Sequence, residues 1–279
     1  MKKFILNADD FGKTADYNRG VLNGYNNGFL KSASIVANGE AFDTAVNEIL
    51  PECQHLSIGV HLNITNGKPL TDANLLIDNT QEFSNTYISL LKAVKNPEIL
   101  NQIEIEFRAQ IEKIASVCKI IHIDSVEHIH SIPQIFDLVC KLADEYKISY
   151  IRTFNEELYL TFGMKYFFNP RLYINFFKYA LIRYFNKKNK NILKHYNTLK
   201  TNDNIIGITY SGILDKITLE QGLKVLNDED NIIVECFIHP CSYLRNINDM
   251  YSAEFKLTQD KILEDTIRRM GYDIINYKN

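Results

Sequence analysis

The sequence predicts an α/β protein in which a mainly parallel sheet closes into a barrel or a distorted barrel. Short apolar, β-branched segments alternate with longer segments of helical periodicity, which is typical of βαβ units. The alternation gives about seven or eight strand candidates, which favours a barrel over an open sheet. The chain has 279 residues, of which 46% are hydrophobic and 23% charged, as in an ordinary globular protein.

The candidate elements follow one another from end to end, without an internal repeat or a Pro/Gly/Ser-rich linker, so we predict a single domain over residues 1–279. The strand candidates are 4–6, 34–37, 56–62, 120–124, 150–152, 205–209, 232–238 and 273–277. The helix candidates are 16–26, 42–49, 97–117, 133–145, 219–226 and 255–270.

Charge and cysteine content restrict the class of protein. A net charge of -3, from 31 basic and 34 acidic residues, argues against a nucleic-acid partner. Five scattered cysteines without a C-x-x-C pair favour reduced thiols in the cytoplasm. The first strand has too short an apolar run for a signal peptide, and no run reaches the roughly 18 residues of a membrane span. We therefore expect a cytoplasmic protein, and its assembly as a homodimer remains open.

Residues 158–201 differ from the rest of the chain in composition. They contain no Asp or Glu and nine Lys or Arg, and ten aromatic residues lie between residues 166 and 196. Leu172, Phe176, Ala180 and Tyr184 recur every four residues, which predicts an amphipathic helix. We favour an inserted helical segment that packs this stripe on the barrel. A helical flap beside the active site, contacting the inner face of the membrane or a substrate with an anionic or lipid part, is the alternative.

Polar and charged side chains follow several strand candidates. Asp9 and Asp10 follow the first strand candidate, in Asn-Ala-Asp-Asp-Phe-Gly, where a turn could bring both carboxylates to the same edge of the barrel. The alternative is that an aspartate caps the helix that follows. His61 ends the third strand in Gly-Val-His-Leu-Asn. Arg152 closes the fifth, and His239 follows a buried strand in His-Pro.

The densest polar cluster is His-Ile-Asp-Ser-Val-Glu-His-Ile-His at residues 122–130, with three histidines and two carboxylates. Because active sites of parallel α/β barrels lie at the carboxyl ends of the strands, we expect these side chains to converge. Imidazole and carboxylate groups are common ligands of divalent metals. The chain has no phosphate-binding glycine loop, dinucleotide motif or serine-hydrolase elbow. The pattern therefore favours metal-assisted hydrolysis.

These motifs resemble the YdjC-like carbohydrate deacetylases, also called the ChbG/HpnK deacetylase family. The resemblance rests on the segments 7–12, 59–63, 67–70, 122–125 and 128–130, together with Pro133, Arg152 and His239-Pro240, and extends to about residue 240. It implies a distorted (β/α) barrel of the NodB-deacetylase type. It also implies a metal-dependent hydrolase that releases acetate from an acetamido sugar, either a chitooligosaccharide or a lipid-linked sugar.

The resemblance also implies residue roles. Asp9 would be the general base, and Asp10 and His61 would bind a divalent metal, Zn²⁺ or Mg²⁺. The family's third ligand is a histidine directly after Asp-Ser, but this chain has Val126 there. We expect His128 to replace it. Glu127 or Asp124 in a bent loop, or a metal-poor and inactive site, are the alternatives.

Two further residues complete the predicted mechanism. His239 is the candidate acid that protonates the leaving amine, because an imidazole titrates near neutral pH. Arg152 could keep Asp9 ionised and oriented, or could form an ordinary structural ion pair. Two other functions remain open: a catalytically impaired sugar- or lipid-binding homologue, and a metal-dependent isomerase or phosphoesterase on a barrel.

Overall fold

The structure is a computed structural model that describes residues 1–242 and 250–278. In these residues every paired strand of the main sheet runs parallel to its neighbours. The strands are β1 Lys2–Phe11, β2 Ser32–Ile35, β3 Ser57–Leu62, β4 His122–Ser125, β5 Tyr150–Ile151, β6 Lys200–Thr201, β7 Asn204–Ile206, β8 Ile233–Ile238 and β9 Tyr272–Ile275.

The sheet curls back on itself. Its strand order is β6-β5-β4-β3-β2-β1-β8-β7, and β9 pairs with the first half of β1. The two strands at the ends of this path, β6 and β7, are separated by only Asn202 and Asp203 in the chain. A backbone hydrogen bond from Ile205 N to Asn155 O, 2.9 Å long, ties β7 to the segment after β5. The predicted α/β barrel-like fold is confirmed.

Helices cover the outside of the sheet, with an apolar core between the two layers. They are α1 Ala15–Asn27, α2 Phe42–Thr44, α3 Tyr87–Ala93, α4 Pro97–Ala115, α5 Pro133–Glu145, α6 Met164–Phe167, α7 Pro170–Leu193, α8 Lys216–Val225, α9 Met250–Leu257 and α10 Lys261–Arg269. A π-helical turn, Ala45–Ile49, and two 3-10 turns, Leu50–Glu52 and Val126–Ser131, complete them. None of the helices in the described residues is long and apolar enough to cross a membrane.

All eight strand candidates correspond to strands, although β1 extends through Phe11 and so includes both aspartates. The sequence missed β6, whose two residues are too few to show a period. It also missed α3 and α6. The helix predicted within residues 158–201 is α7, which starts at Pro170 and is capped by the Asn169 side chain.

The face of α7 that packs on the barrel differs from the predicted stripe. Leu172 of that stripe is buried, but Ala180 and Tyr184 are exposed. The buried positions include Asn175, which donates to Ser211 O at 2.9 Å, and Asn189, which donates to Ser131 O at 2.8 Å. Buried loop carbonyls need donors, so these amides share the face with Leu172, Tyr179 and Ile182.

Candidate active site

A bulge in β1 brings the two adjacent aspartates to one cavity. The register between β1 and β2 shifts between Ala8 and Phe11, and Asp10 has a φ of 64°. In a regular strand adjacent side chains point to opposite faces, whereas an extra residue in a bulge redirects one of them. Asp9 and Asp10 therefore both line the cavity at the carboxyl end of β1. The expected turn is present as well, with Lys13 N donating to Asp10 O at 3.1 Å. The N-cap of α1 is Thr14, so neither aspartate is a helix cap.

Arg152 is the centre of a fully buried ionic cluster. Its Nη1 and Nη2 donate to the two carboxylate oxygens of Asp9 at 2.8 and 2.7 Å. Its Nη2 is also 2.6 Å from Asp124 Oδ2, and its Nε donates to Glu235 Oε1 at 2.6 Å. One guanidinium thus faces three carboxyl groups, and the paired geometry orients Asp9 in a fixed plane.

Burial and charge oppose each other at these carboxyl groups. Burial alone would raise the pKa of Asp9, but the Arg152 guanidinium and His61 hold that pKa well below its usual range. At Glu235, burial outweighs the attraction of Arg152 and raises the pKa to about 7. Asp9 is therefore ionised throughout the neutral range, while burial makes Glu235 easier to protonate than an ordinary glutamate.

His61 is oriented by Asp124. His61 Nδ1 donates to Asp124 Oδ1 at 2.7 Å, which leaves Nε2 facing Asp10 Oδ1 at 3.8 Å. Burial lowers the pKa of His61, but the carboxylates of Asp124 and Asp9 outweigh it and raise that pKa. A carboxylate behind the imidazole is the usual arrangement for a metal-binding histidine, because it fixes the tautomer that presents Nε2.

His239 is held by a buried carboxylate that the sequence did not single out. Glu254 of α9 accepts hydrogen bonds from His239 Nδ1 at 3.0 Å, from His239 N at 2.6 Å and from Gly212 N at 3.0 Å. Burial lowers the pKa of His239, and the carboxylate of Glu254 outweighs it, so the pKa is raised. A protonated His239 is therefore stabilised inside the cavity.

The cavity that these residues share has a volume of about 430 Å³. One part of its wall carries Asp9, Asp10, His61 and His239, and α7 forms another part. The α7 residues in the wall are Arg171, Ile174, Asn175, Phe177, Lys178 and Leu181. A pocket of this size with converging polar groups is typical of a small-molecule site.

Among the described residues, one set of three side chains, Asp9, His61 and Asp124, is spaced closely enough to hold a cation, and the predicted set Asp10, His61 and His128 is not. Ligand atoms of Asp9, His61 and Asp124 lie within 4.8 Å of one another. Arg152 already binds both oxygens of Asp9 and one of Asp124, so its positive charge opposes a metal ion at that point. The face formed by His61 Nε2 and Asp10 Oδ1 fits a divalent ion better, although Lys13 Nζ lies 3.0 Å from Asp10 Oδ2.

The third ligand position is apolar. Val126 is buried and lines the cavity, and its side chain offers no ligand atom. Glu127 and His128 follow with φ values of 52° and 60°, so the loop is bent. His128 also lines the cavity, and its Nδ1 has no hydrogen-bond partner among the described residues. Its ring packs against Phe237 with the centroids 4.6 Å apart, and burial lowers its pKa well below the usual value, so it is a neutral imidazole.

The other two histidines of the cluster have structural surroundings. His130 Nε2 lies 3.1 Å from Arg152 O, and its Nδ1 lies 2.5 Å from Ser125 Oγ. The ring of His122 stacks on Tyr277 with the centroids 3.9 Å apart. Membership of the polar cluster at residues 122–130 therefore does not place all of these groups at the cavity.

Sequence reasoning missed Glu254 and gave Asp124 only an alternative role as a ligand. A signal for Asp124 was its position near the end of the strand after that of His61. The two residues are opposite each other in the adjacent strands β3 and β4. Glu254 carried no such signal, because it lies 15 residues beyond His239 on a different element.

A family model for YdjC-like proteins matches residues 3–269 of the chain. The chain belongs to the YdjC-like family. Its curated relatives include carbohydrate deacetylases of Listeria monocytogenes, 34% identical over 148 residues, and of Clostridium beijerinckii, 36% identical over 161 residues. These matches cover 53% and 56% of this YdjC-like chain and 59% and 63% of the relatives. The chain therefore spans less than two thirds of the curated relatives it matches.

A solved structure extends the YdjC-like similarity to the whole fold. It is a candidate cellobiose-phosphate cleavage protein from Enterococcus faecalis, and it superposes with a TM-score of 0.76 at 21% identity. The alignment covers 99% of this chain and 98% of that one. This neighbour supports the same barrel-like fold.

Proposed function

We propose that this protein is a divalent-metal-dependent carbohydrate deacetylase, which hydrolyses the N-acetyl group of an acetamido sugar or oligosaccharide and releases acetate. The observation that carries the proposal is that one bulge places two aspartates beside an oriented histidine. Asp9 accepts hydrogen bonds from Arg152, and Asp10 faces Nε2 of His61. The names of the curated relatives point to the same chemistry.

Asp10 and His61 would hold the metal ion, with His128 as the proposed third protein ligand in place of Val126. A bound divalent ion supplies Lewis acidity toward the amide carbonyl and lowers the pKa of water. Zn²⁺ and Mg²⁺ are both compatible with a donor set of carboxylate and imidazole, and imidazole favours the former.

Asp9 would act as the general base. The Arg152 fork keeps this carboxylate ionised and fixes its plane, so that an oxygen is always ready to accept a proton from water. The same fork lowers its intrinsic basicity, since the Arg152 guanidinium lowers the Asp9 pKa. The fixed orientation of its carboxylate is therefore the main contribution of Asp9.

His239 would donate a proton to the amine nitrogen as the C–N bond breaks. Glu254 keeps the protonated imidazole stable and holds its Nδ1. The proton on Nε2 is the one that Glu254 does not bind, so it is the proton that can pass to the leaving group. Backbone N–H groups around the cavity would stabilise the developing oxyanion.

The test is acetate release from N-acetylglucosamine oligosaccharides by the purified, metal-loaded protein, with Asp9→Asn as the inactive control. Val126 favours a second function, a sugar-binding protein whose metal site has lost a ligand. Saturable oligosaccharide binding without acetate release would support that function. Absence of both binding and release would contradict both proposals.

A further inference from the structure

Helix α7 packs both amide and apolar side chains on the barrel and leaves a row of aromatic rings exposed to solvent. Its buried face includes Asn186 and Asn189, which are 5% and 1% exposed. Its outer face carries Tyr173, Phe177 and Tyr184, which are 55%, 67% and 57% exposed. These three residues are four and seven positions apart and therefore share one side of the helix. The solvent face of a surface helix is ordinarily polar, so this exposed aromatic row is unusual.

The chain before α7 extends this apolar surface. Phe162, Met164, Phe167 and Phe168 are 95%, 73%, 63% and 69% exposed. The ring of Phe167 lies 5.5 Å from that of Phe168 and 6.5 Å from that of Tyr173, so the exposed groups are continuous with α7. Contiguous exposed apolar surface marks a site of interaction. We call the group Phe162, Met164, Phe167, Phe168, Tyr173 and Phe177 the aromatic patch.

The surface beside the aromatic patch is basic. Residues 158–201 contain nine Lys or Arg and no acid. In the part of the chain that the structure describes, only Lys165 of these nine forms an ion pair, with Asp215. The C-terminal half of α7 carries Lys187, Lys188 and Lys190, all exposed. Lys188 Nζ lies 5.0 Å above the ring of Tyr184, which joins the basic surface to the aromatic one.

We propose that the aromatic patch and the basic C-terminal half of α7 form a docking surface for an anionic lipid bilayer. Exposed aromatic rings enter the boundary between headgroups and acyl chains, and lysines beside them attract anionic headgroups. Charge complementarity favours this occupant, because a second copy of the chain would bring the same positive charges against each other.

The docking surface meets the mouth of the candidate active site. Ile174, Phe177 and Lys178 of α7 line the cavity that contains Asp10 and His61. A molecule docked through the aromatic patch therefore holds that mouth close to the lipid surface. The proposal does not depend on the deacetylase activity, because docking can be measured without substrate or metal.

The experiment is co-sedimentation of the full-length protein with vesicles of phosphatidylcholine alone or of phosphatidylcholine and phosphatidylglycerol. We expect association with the anionic vesicles at low salt, weaker association with neutral ones, and a decrease with added salt. Replacing Lys187, Lys188 and Lys190 by Gln should lower the partition coefficient between anionic vesicles and solution on the order of 100-fold, because each lysine contributes about fivefold. The matched control replaces three exposed lysines elsewhere, Lys95, Lys119 and Lys224, and should leave it unchanged.

A second pair of variants tests the aromatic contribution. Phe162→Ala with Phe168→Ala should remove the association that persists at high salt, whereas Ile105→Ala with Ile262→Ala, also at exposed positions, should not. Circular dichroism melting confirms that each variant is folded. The proposal is overturned if the wild-type protein does not sediment with anionic vesicles. It is also overturned if the protein is a dimer in solution that Phe162→Ala with Phe168→Ala dissociates, since the surface would then bind a second copy.

Discussion

Replacing Glu254 by Gln tests whether the buried carboxylate makes His239 an effective acid. The variant keeps the shape of the side chain but removes the charge that His239 Nδ1 meets at 3.0 Å. Because that charge raises the pKa of His239, its loss lowers the pKa and reduces the protonated fraction at neutral pH. The alkaline limb of the pH–rate profile should therefore move to lower pH.

The size of the effect follows from the contact. A hydrogen bond to a charged partner contributes about 1.5–3 kcal/mol. If this energy is lost only from the protonated, reactive form, kcat/KM at neutral pH falls roughly 10- to 150-fold. The substrate KM should change little, since Glu254 is 1% exposed and does not line the cavity.

Stability gives an independent readout of the same pair. A histidine whose pKa is raised by folding stabilises the native state below its unfolded pKa of about 6.5, and this contribution is lost as the pH rises through the folded value. The difference in unfolding free energy between wild type and Glu254→Gln should thus be larger near pH 6 than near pH 9. Denaturant titration at both pH values measures it.

Glu106→Gln is a matched control, because Glu106 is also fully buried and also accepts backbone N–H groups, those of Leu70 and Thr71. This variant should lower the free energy of unfolding without shifting the alkaline limb of the pH–rate profile. A Glu254→Gln enzyme whose alkaline limb coincides with that of wild type would refute the reasoning, and His239 would then not be the group that titrates in turnover.

Three further substitutions test the remaining roles. Asp9→Asn should lower turnover by roughly 10²- to 10⁴-fold with metal content unchanged, because an amide cannot accept the proton; near wild-type acetate release would remove Asp9 as the base. His61→Ala should lower metal occupancy and activity together, since it removes the nitrogen opposite Asp10; unchanged stoichiometry by elemental analysis would place the metal elsewhere. Val126→His should raise metal affinity in competition with a chelator, because residue 126 lines the cavity; no gain would indicate that His128 already fills the position.

Much of the barrel was predictable because its strands are short apolar segments between helices with clear periods. The convergence of Asp9, His61 and His239 also followed from their positions at strand ends, which parallel pairing brings to one edge. The bulge at Asp10 was not predictable, since a single left-handed residue leaves no periodic signal. The partner of His239 depended on the tertiary placement of α9, which no local pattern determines.

The orientation of α7 shows a different limit. Hydrophobic periodicity assumes that the surface beneath a helix is apolar. Below α7 the barrel instead presents the carbonyls of Ser131 and Ser211, and Asn189 and Asn175 satisfy them. Tyr184 of the predicted stripe is therefore exposed, and Tyr179, which lay outside that stripe, is buried.

The Arg152 cluster also has a consequence for how the chain acquires its native state. Arg152 is 143 residues away from Asp9 and 83 residues away from Glu235, so the contacts at the centre of the site join distant parts of the sequence. Loop-closure entropy makes such contacts slow to form. Until the barrel closes, the guanidinium and its carboxylates stay hydrated, because burial of any one of them alone is costly. We therefore expect the ionic centre to form late in folding, after β8, which carries Glu235, has paired with β1.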